Sequence, residues 1–195
     1  MNAASQPPRR GRLFVITAPS GAGKTSLVRA LMAREPALRF SISYTTRPQR
    51  PTETHGRDYH FVTGAEFEAM AERGEFLEHA PVFDNRYGTA RGQVEASLGA
   101  GQDLILEIDW QGAQQVRRVY PACVGIFIVP PSVEELERRM RSRGKDSEAV
   151  IRRRLDNARL ELAHAQEFEY RIINKDFDSA RQELARVIAV ERAKT

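Results

Sequence analysis

The chain has 195 residues, 41% of them hydrophobic, which is enough for one α/β domain with a packed core and an insertion. Its formal net charge is +4, and most of its cationic residues are arginines, which favours phosphate-bearing small molecules as ligands. Because the sequence has no zinc-finger spacing and no aromatic RNA-binding signature, we expect no nucleic-acid partner. The single cysteine, Cys123, excludes an internal disulfide and is typical of a reducing compartment.

The N-terminal residues 1–12 are polar and contain two prolines and several arginines. We expect them to form a flexible tail ahead of one domain over 13–195. The apolar run that follows, residues 13–16, is too short for a signal peptide or a membrane span. The sequence therefore predicts a cytoplasmic protein that does not contact a membrane.

The most informative segment is 13–25, where an apolar run stops at a loop of small residues. The loop ends in Gly23-Lys24-Thr25, and a helical pattern over 26–34 follows at once. This order is typical of a loop whose backbone N–H groups bind phosphate, with Lys24 on the phosphates and Thr25 on magnesium. The first glycine of the usual pattern is Ala18 here, so that position needs a negative φ or room for a methyl group. The alternative is a glycine-rich turn that only starts a helix.

The region 41–98 has a different pattern. Short β-like runs at 40–44, 59–62 and 76–82, with glycine and proline between them, predict a small mixed sheet inserted in the core. A capping pattern at Thr63 predicts one helix in this region, at 63–73. A loop in this region carries Arg47 and Arg50, which together with the Tyr59 hydroxyl suit a second phosphate group. The alternative for this loop is a solvated basic turn.

The rest of the chain alternates strands and helices, which predicts a parallel sheet with right-handed crossovers. Glu107 and Asp109 end the strand at 103–108, where α/β sheets bind ligands, although both could be simple strand-end charges. The predicted elements after this strand are helices at 111–119, 132–143, 148–165 and 179–193 and strands at 125–129 and 170–173.

Seven arginines lie between positions 137 and 154, on two predicted helices separated by Gly144. This pattern predicts a mobile cationic flap, and solvated helix faces are the alternative. Arg139 and Arg143 are four residues apart, so they share one helix face and can reach one site.

Together these motifs resemble the guanylate kinase family, most closely its bacterial members. The resemblance extends over residues 13–192 and rests on seven segments that occur in the family's order: the loop 18–25, Ser43-Tyr-Thr-Thr-Arg47, Gly56-Arg-Asp-Tyr59, Glu75-Phe-Leu-Glu78, Tyr87-Gly-Thr89, Ile108-Asp-Trp-Gln-Gly112 and Pro130-Pro-Ser132. The chain departs from the family in three places. The order Arg47-Pro-Gln-Arg50 is unusual and is followed by Thr52 where the family usually has glycine. Glu107 stands where aspartate is common, and Lys175 stands where an acidic residue is common.

The resemblance implies an α/β fold: a P-loop NTPase core with a parallel sheet flanked by helices, an inserted mixed-β region for the nucleoside monophosphate, and a helical lid. The corresponding boundaries are 13–40 and 99–195 for the core, 41–98 for the insertion and 138–157 for the lid. It also implies Mg²⁺-dependent transfer of the γ-phosphoryl of ATP to GMP, giving ADP and GDP, in purine nucleotide metabolism.

The resemblance assigns a role to each matching position. The guanine contacts are Ser43, Glu78, Thr89 and Asp109, and the GMP phosphate contacts are Arg47, Arg50, Tyr59 and Tyr87. The ATP contacts are Ala18, Pro19, Ser20, Gly21, Ala22, Gly23, Lys24 and Thr25, with Asn174 at the adenine and Thr25 as the magnesium ligand. The catalytic cations are Lys24, Arg139, Arg143 and Arg154.

Two other functions fit parts of the sequence. A kinase of a phosphorylated sugar would use the same loop, but it would not need Glu78 together with Ser43. A protein-binding module related to guanylate kinases would have a degraded phosphate loop, whereas Lys24 and Thr25 are intact here.

Overall fold

The computed structural model describes residues 9–142, 144 and 147–194. Nine strands and seven α-helices lie within them: β1 (Leu13–Thr17), α1 (Lys24–Met32), β2 (Leu38–Phe40), β3 (Tyr44–Thr45), β4 (His60–Phe61), α2 (Gly64–Glu72), β5 (Phe76–Val82), β6 (Asn85–Ala90), α3 (Arg91–Gly99), β7 (Asp103–Glu107), α4 (Trp110–Val119), β8 (Val124–Val129), α5 (Val133–Ser142), α6 (Glu148–Ala163), β9 (Tyr170–Ile173) and α7 (Phe177–Ala193). A short 3-10 helix, Ala165–Glu167, follows α6.

The central sheet has five parallel strands in the order β2-β7-β1-β8-β9. Its three inner strands, β7, β1 and β8, are largely buried and mostly apolar because both faces of the sheet are covered, as parallel sheets require. Successive residues of β1 alternate between two hydrophobic clusters: Phe14 and Ile16 pack with residues of α1 and α7, and Leu13 and Val15 pack with residues of α3 and α4. The predicted α/β class is confirmed.

A second sheet follows β2 in the chain and has the order β4-β3-β6-β5. It is mixed, since β5 and β6 form an antiparallel hairpin while β3 pairs in parallel with β4. Helix α2 begins with a capping box between Thr63 and Glu66, and its Phe67 stacks on Phe76 of β5 with ring centroids 4.5 Å apart. The predicted inserted sheet is confirmed.

The insertion also contains two elements that the sequence pattern did not predict, β6 and α3. Strand β6 contains Gly88, which usually weakens a strand. In the sheet it is needed, because a Cβ at Gly88 would lie 2.9 Å from the ring of Phe76. The predicted strand 40–44 is divided: β2 ends at Phe40 in the central sheet, and β3 begins at Tyr44 in the second sheet.

None of the helices in the described part of the chain is long and apolar enough to cross a membrane.

Candidate active site

The loop between β1 and α1 has the backbone geometry of an anion-binding loop. Gly21 and Gly23 have φ of +90° and +96°, a region that residues with side chains rarely adopt. Ala18 is not among the described residues with positive φ, so its methyl group is tolerated at the first position of the motif. Helix α1 begins at Lys24, and its free N–H groups and positive dipole end therefore adjoin the loop.

The two polar side chains at the start of α1 contact the carboxyl end of β7. Lys24 Nζ donates a hydrogen bond to the Ile108 carbonyl at 3.0 Å. The Thr25 hydroxyl is hydrogen-bonded to the carboxylate of Glu107. These contacts place the loop's cation and its hydroxyl beside the carboxylates of β7, at the edge where parallel sheets bind ligands.

The junction between the two sheets holds a buried acidic group. Glu78 of β5 is 3% exposed, and Thr89 of the neighbouring β6 donates its hydroxyl to Glu78 Oε1 at 2.5 Å. Asp109 follows β7 and caps α4 by accepting the Gly112 N–H at 2.8 Å. The Glu78 carboxylate lies against Gly112, where a Cβ would be 2.3 Å from Glu78 Oε2 and 3.2 Å from Asp109 Oδ1. The two carboxyls are thereby brought together from separate sheets.

The burial of these carboxyls changes their titration. Burial raises the pKa of Glu78 to about 7, and the nearby negative charge of Asp109 adds to this rise. Burial also raises the pKa of Asp109. Ser43, the fourth predicted base contact, is buried directly before β3, whose Tyr44 pairs with Gly88, the neighbour of Thr89. The site therefore offers a recessed acceptor group that is largely shielded from water.

The basic loop of the insertion is ordered by an acid that the sequence interpretation missed, Glu53. Its two carboxylate oxygens accept hydrogen bonds from Arg47 at 2.8 and 3.1 Å, and the Arg50 N–H adds one at 2.9 Å. These bonds, led by that of Arg47, lower the pKa of Glu53. The Arg47 guanidinium also lies over the rings of Tyr59 and Phe61, 5.4 and 5.6 Å from their centroids. The Arg50 residue is exposed.

The two predicted tyrosines lie next to each other and connect this loop to the phosphate loop. The rings of Tyr59 and Tyr87 meet edge to face with centroids 5.9 Å apart. Burial raises the pKa of Tyr59 to about 12, with a further contribution from the charge of Glu107. Asp58, the neighbour of Tyr59, accepts a hydrogen bond from Arg29 of α1 at 3.1 Å, so this part of the insertion lies beside the helix that begins at the phosphate loop.

The structure describes two of the three predicted catalytic arginines. Arg139 of α5 donates to Glu135 at 2.8 Å and to the Asn174 carbonyl at 3.0 Å. Arg154 is half-buried on α6. Arg143 lies outside the described residues.

Asn174 follows β9 and contacts the phosphate loop. It is 5% exposed, and its Nδ2 donates a hydrogen bond to the Ala22 carbonyl at 2.7 Å. The expectation that it touches adenine stays a prediction.

The comparisons with known proteins agree with this geometry. The sequence profile of the family described as Guanylate kinase matches residues 10–191. The chain belongs to the guanylate kinase family. It is 56% identical over 183 residues to a guanylate kinase of Methylococcus capsulatus, covering 94% of this chain and 90% of the relative. It is 55% identical over 182 residues to one of Nitrosococcus oceani, covering 93% and 90%. The crystal structure of guanylate kinase from Anaplasma phagocytophilum superposes with a TM-score of 0.78 at 33% identity, covering 93% of this chain and 86% of that chain.

One more buried carboxyl in this guanylate kinase fold was not singled out from the sequence. Glu161 lies in the last turn of α6, and its Oε2 is buried without a hydrogen-bond partner. Burial raises its pKa to about 7, an effect that attraction by Lys24 opposes and repulsion by Asp109 increases. The sequence could have indicated this, because Glu161 follows the buried Ala158 by three residues on the same helix and therefore lies on its inward face.

Proposed function

We propose that this member of the guanylate kinase family transfers the γ-phosphoryl group of ATP to GMP, giving ADP and GDP, and so serves purine nucleotide metabolism. The observation that carries the proposal is the buried carboxyl of Glu78, held by Thr89 at the junction of the two sheets. A phosphate loop alone fits many kinases. A recessed carboxyl that shares a space with such a loop fits an acceptor with hydrogen-bond donors on its base.

Guanine presents such donors. Its Watson–Crick edge has N–H groups at N1 and N2, and one carboxylate can accept both. Adenine has an acceptor at N1, which would face the Glu78 carboxylate unpaired. Each unpaired buried polar group costs about 1–3 kcal/mol, so a base site built in this way can discriminate by roughly 10⁴-fold. We assign Ser43 and Asp109 to the same base edge.

The acceptor phosphate is assigned to the basic loop of the insertion. Arg47 and Arg50 supply positive charge, and Glu53 holds the first of them in a fixed orientation. The Tyr59 hydroxyl is protonated at neutral pH and can donate a hydrogen bond, and burial, which raises its pKa to about 12, disfavours the charged phenolate further. We assign Tyr87, its neighbour, to the same phosphate.

The donor phosphates are assigned to the loop 18–25. Its N–H groups bind phosphate oxygens, and Lys24 moves from the Ile108 carbonyl to the triphosphate. The Thr25 hydroxyl and the Glu107 carboxylate are adjacent oxygen ligands of the kind that Mg²⁺ prefers, so they fit the ion. Bound there, Mg²⁺ would neutralise charge on the donor phosphates.

The transfer itself needs no nucleophilic side chain, because an oxygen of the GMP phosphate attacks the γ-phosphorus directly. The protein supplies alignment, exclusion of water and positive charge. Lys24, Arg139, Arg143 and Arg154 are the cations that we assign to the transferred group.

The test is an acceptor screen with ATP and Mg²⁺ in which GMP, AMP, CMP, UMP and a ribose phosphate are compared at equal concentration. We expect ADP and GDP to form with GMP, at a rate far above that of the other acceptors. Lys24→Met is the control for transfer by the site itself. Preferred phosphorylation of another acceptor, or equal rates with Lys24→Met, would refute the proposal.

A further inference from the structure

Asn174 is fixed in place from three directions. Its N–H donates to the Val129 carbonyl at 2.8 Å, and its own carbonyl accepts the Arg139 guanidinium at 3.0 Å. Its buried side chain reaches across 152 positions of sequence to the Ala22 carbonyl at 2.7 Å. A residue held in this way has little freedom to reorient towards a ligand.

The orientation of the side-chain amide follows from its partner. A backbone carbonyl only accepts hydrogen bonds, so the group that faces Ala22 O is the NH₂ end of the amide. The same nitrogen lies against Gly23, where a Cβ would be 2.5 Å from it. Gly23 therefore permits both the positive φ of the loop and the close approach of Asn174.

The bond to Ala22 also determines the direction of a neighbouring N–H. The Ala22 carbonyl and the Gly23 N–H belong to one planar trans peptide unit and point in opposite directions. Because Asn174 binds this carbonyl, the Gly23 N–H is directed to the opposite side of the peptide, away from Asn174. Convergent N–H groups on that side are what a phosphate-binding loop requires.

We propose that Asn174 is a positioning residue that preorganises the phosphate loop for the triphosphate through its bond to Ala22. Its side chain acts on the polyphosphate through the loop. Through its carbonyl it also connects Arg139 of α5 to the loop. This role rests on the proposed function, in which the loop binds the donor phosphates.

Inorganic tripolyphosphate distinguishes an effect on the phosphate loop from a contact with the donor's base, because it has the phosphates of ATP and no base. Its binding, and that of ATP and GMP, can be measured by isothermal titration calorimetry at fixed Mg²⁺ for the wild type, Asn174→Ala and Asn174→Leu. Asn85→Ala, at the start of β6 in the second sheet, is the matched control. Loss of the bond leaves a buried carbonyl unpaired, so we expect tripolyphosphate and ATP to bind about tenfold more weakly in both Asn174 variants. GMP should bind within about twofold of the wild type, and the control should not differ.

Weaker ATP binding with unchanged tripolyphosphate binding would show that Asn174 contacts the base, and would overturn the proposal. So would an equal loss of GMP and tripolyphosphate affinity, because that result indicates general destabilisation. Tripolyphosphate binding is measured without any phosphoryl transfer. If the wild type failed to phosphorylate GMP, that result would count against the proposed function, and the tripolyphosphate measurement would still test the role of Asn174.

Discussion

Replacing Glu78 by glutamine should stabilise the free protein while impairing its use of GMP. The fold buries this carboxyl beside Asp109 and raises its pKa from the ordinary value of 4.5 to about 7. Above pH 7 the protein therefore holds a charge that burial disfavours by about 3 kcal/mol. Glutamine has the same shape, carries no charge and still accepts the Thr89 hydroxyl, so the substitution removes this cost.

The sign of the pH dependence follows from proton binding. The native carboxyl keeps its proton to a higher pH than the unfolded chain does, so its contribution to the free energy of unfolding decreases between about pH 4.5 and 7. Glu78→Gln should raise the melting temperature by roughly 6–12 °C at pH 8, and this gain should shrink as the pH is lowered towards 5. Thermal unfolding at both pH values measures it, with Glu95→Gln on the exposed side of α3 as the control.

The functional cost should appear in the same variant. Glutamine offers one acceptor and one donor, so one guanine N–H is left unpaired, and kcat/KM for GMP should fall by about 10–100-fold. The ratio of kcat/KM for GMP to kcat/KM for AMP should decrease. In the wild type, KM for GMP should rise as the pH falls below about 7, because only the ionised carboxylate accepts both N–H groups, and Glu78→Gln should flatten this profile. A stability gain that is independent of pH, or an unchanged GMP to AMP ratio, would refute the reasoning.

Three further predictions concern the charged groups of the site. Lys24→Met should reduce phosphoryl transfer by about 10³-fold or more with an unchanged circular dichroism spectrum, and near-normal turnover would contradict the phosphate-loop assignment. Arg139→Ala should lower kcat by at least about 10²-fold with a modest change in KM, because Arg139 contacts Asn174, which is bonded to the phosphate loop. Arg141→Ala should be nearly silent, because that guanidinium is paired with surface acids of α5 and α6 in the part of the chain that the structure describes. Equal effects of the two substitutions in steady-state kinetics would indicate a diffuse electrostatic field. Glu53→Gln should raise KM for GMP several-fold by loosening Arg47, and an unchanged KM would show that the bidentate pair does not orient the arginine.

The phosphate loop and the order of elements could be predicted from the sequence because their causes are local. Gly21 and Gly23 supply the positive φ values within a few residues of the strand that precedes them. Strands β1 and β8 are almost entirely apolar, and the capping residues of α2 and α5 stand at the helix starts. Strand β6 was not predicted, because its Gly88 suits a strand only where the ring of Phe76 packs against it.

The candidate site residues could be identified from their residue types and from the resemblance to the family. Their chemistry, however, depends on contacts between distant parts of the chain. The raised pKa of Glu78 exists only because folding buries it and brings Asp109 from the other sheet close to it. The link between Asn174 and Ala22 joins residues 152 positions apart, and no local pattern encodes it. The sequence by itself determined most of the elements and the phosphate loop, since backbone conformation and hydrophobic periodicity are properties of neighbouring residues. Only the tertiary structure decided which polar groups are buried and paired, because desolvation and hydrogen bonding depend on what the fold places around each group.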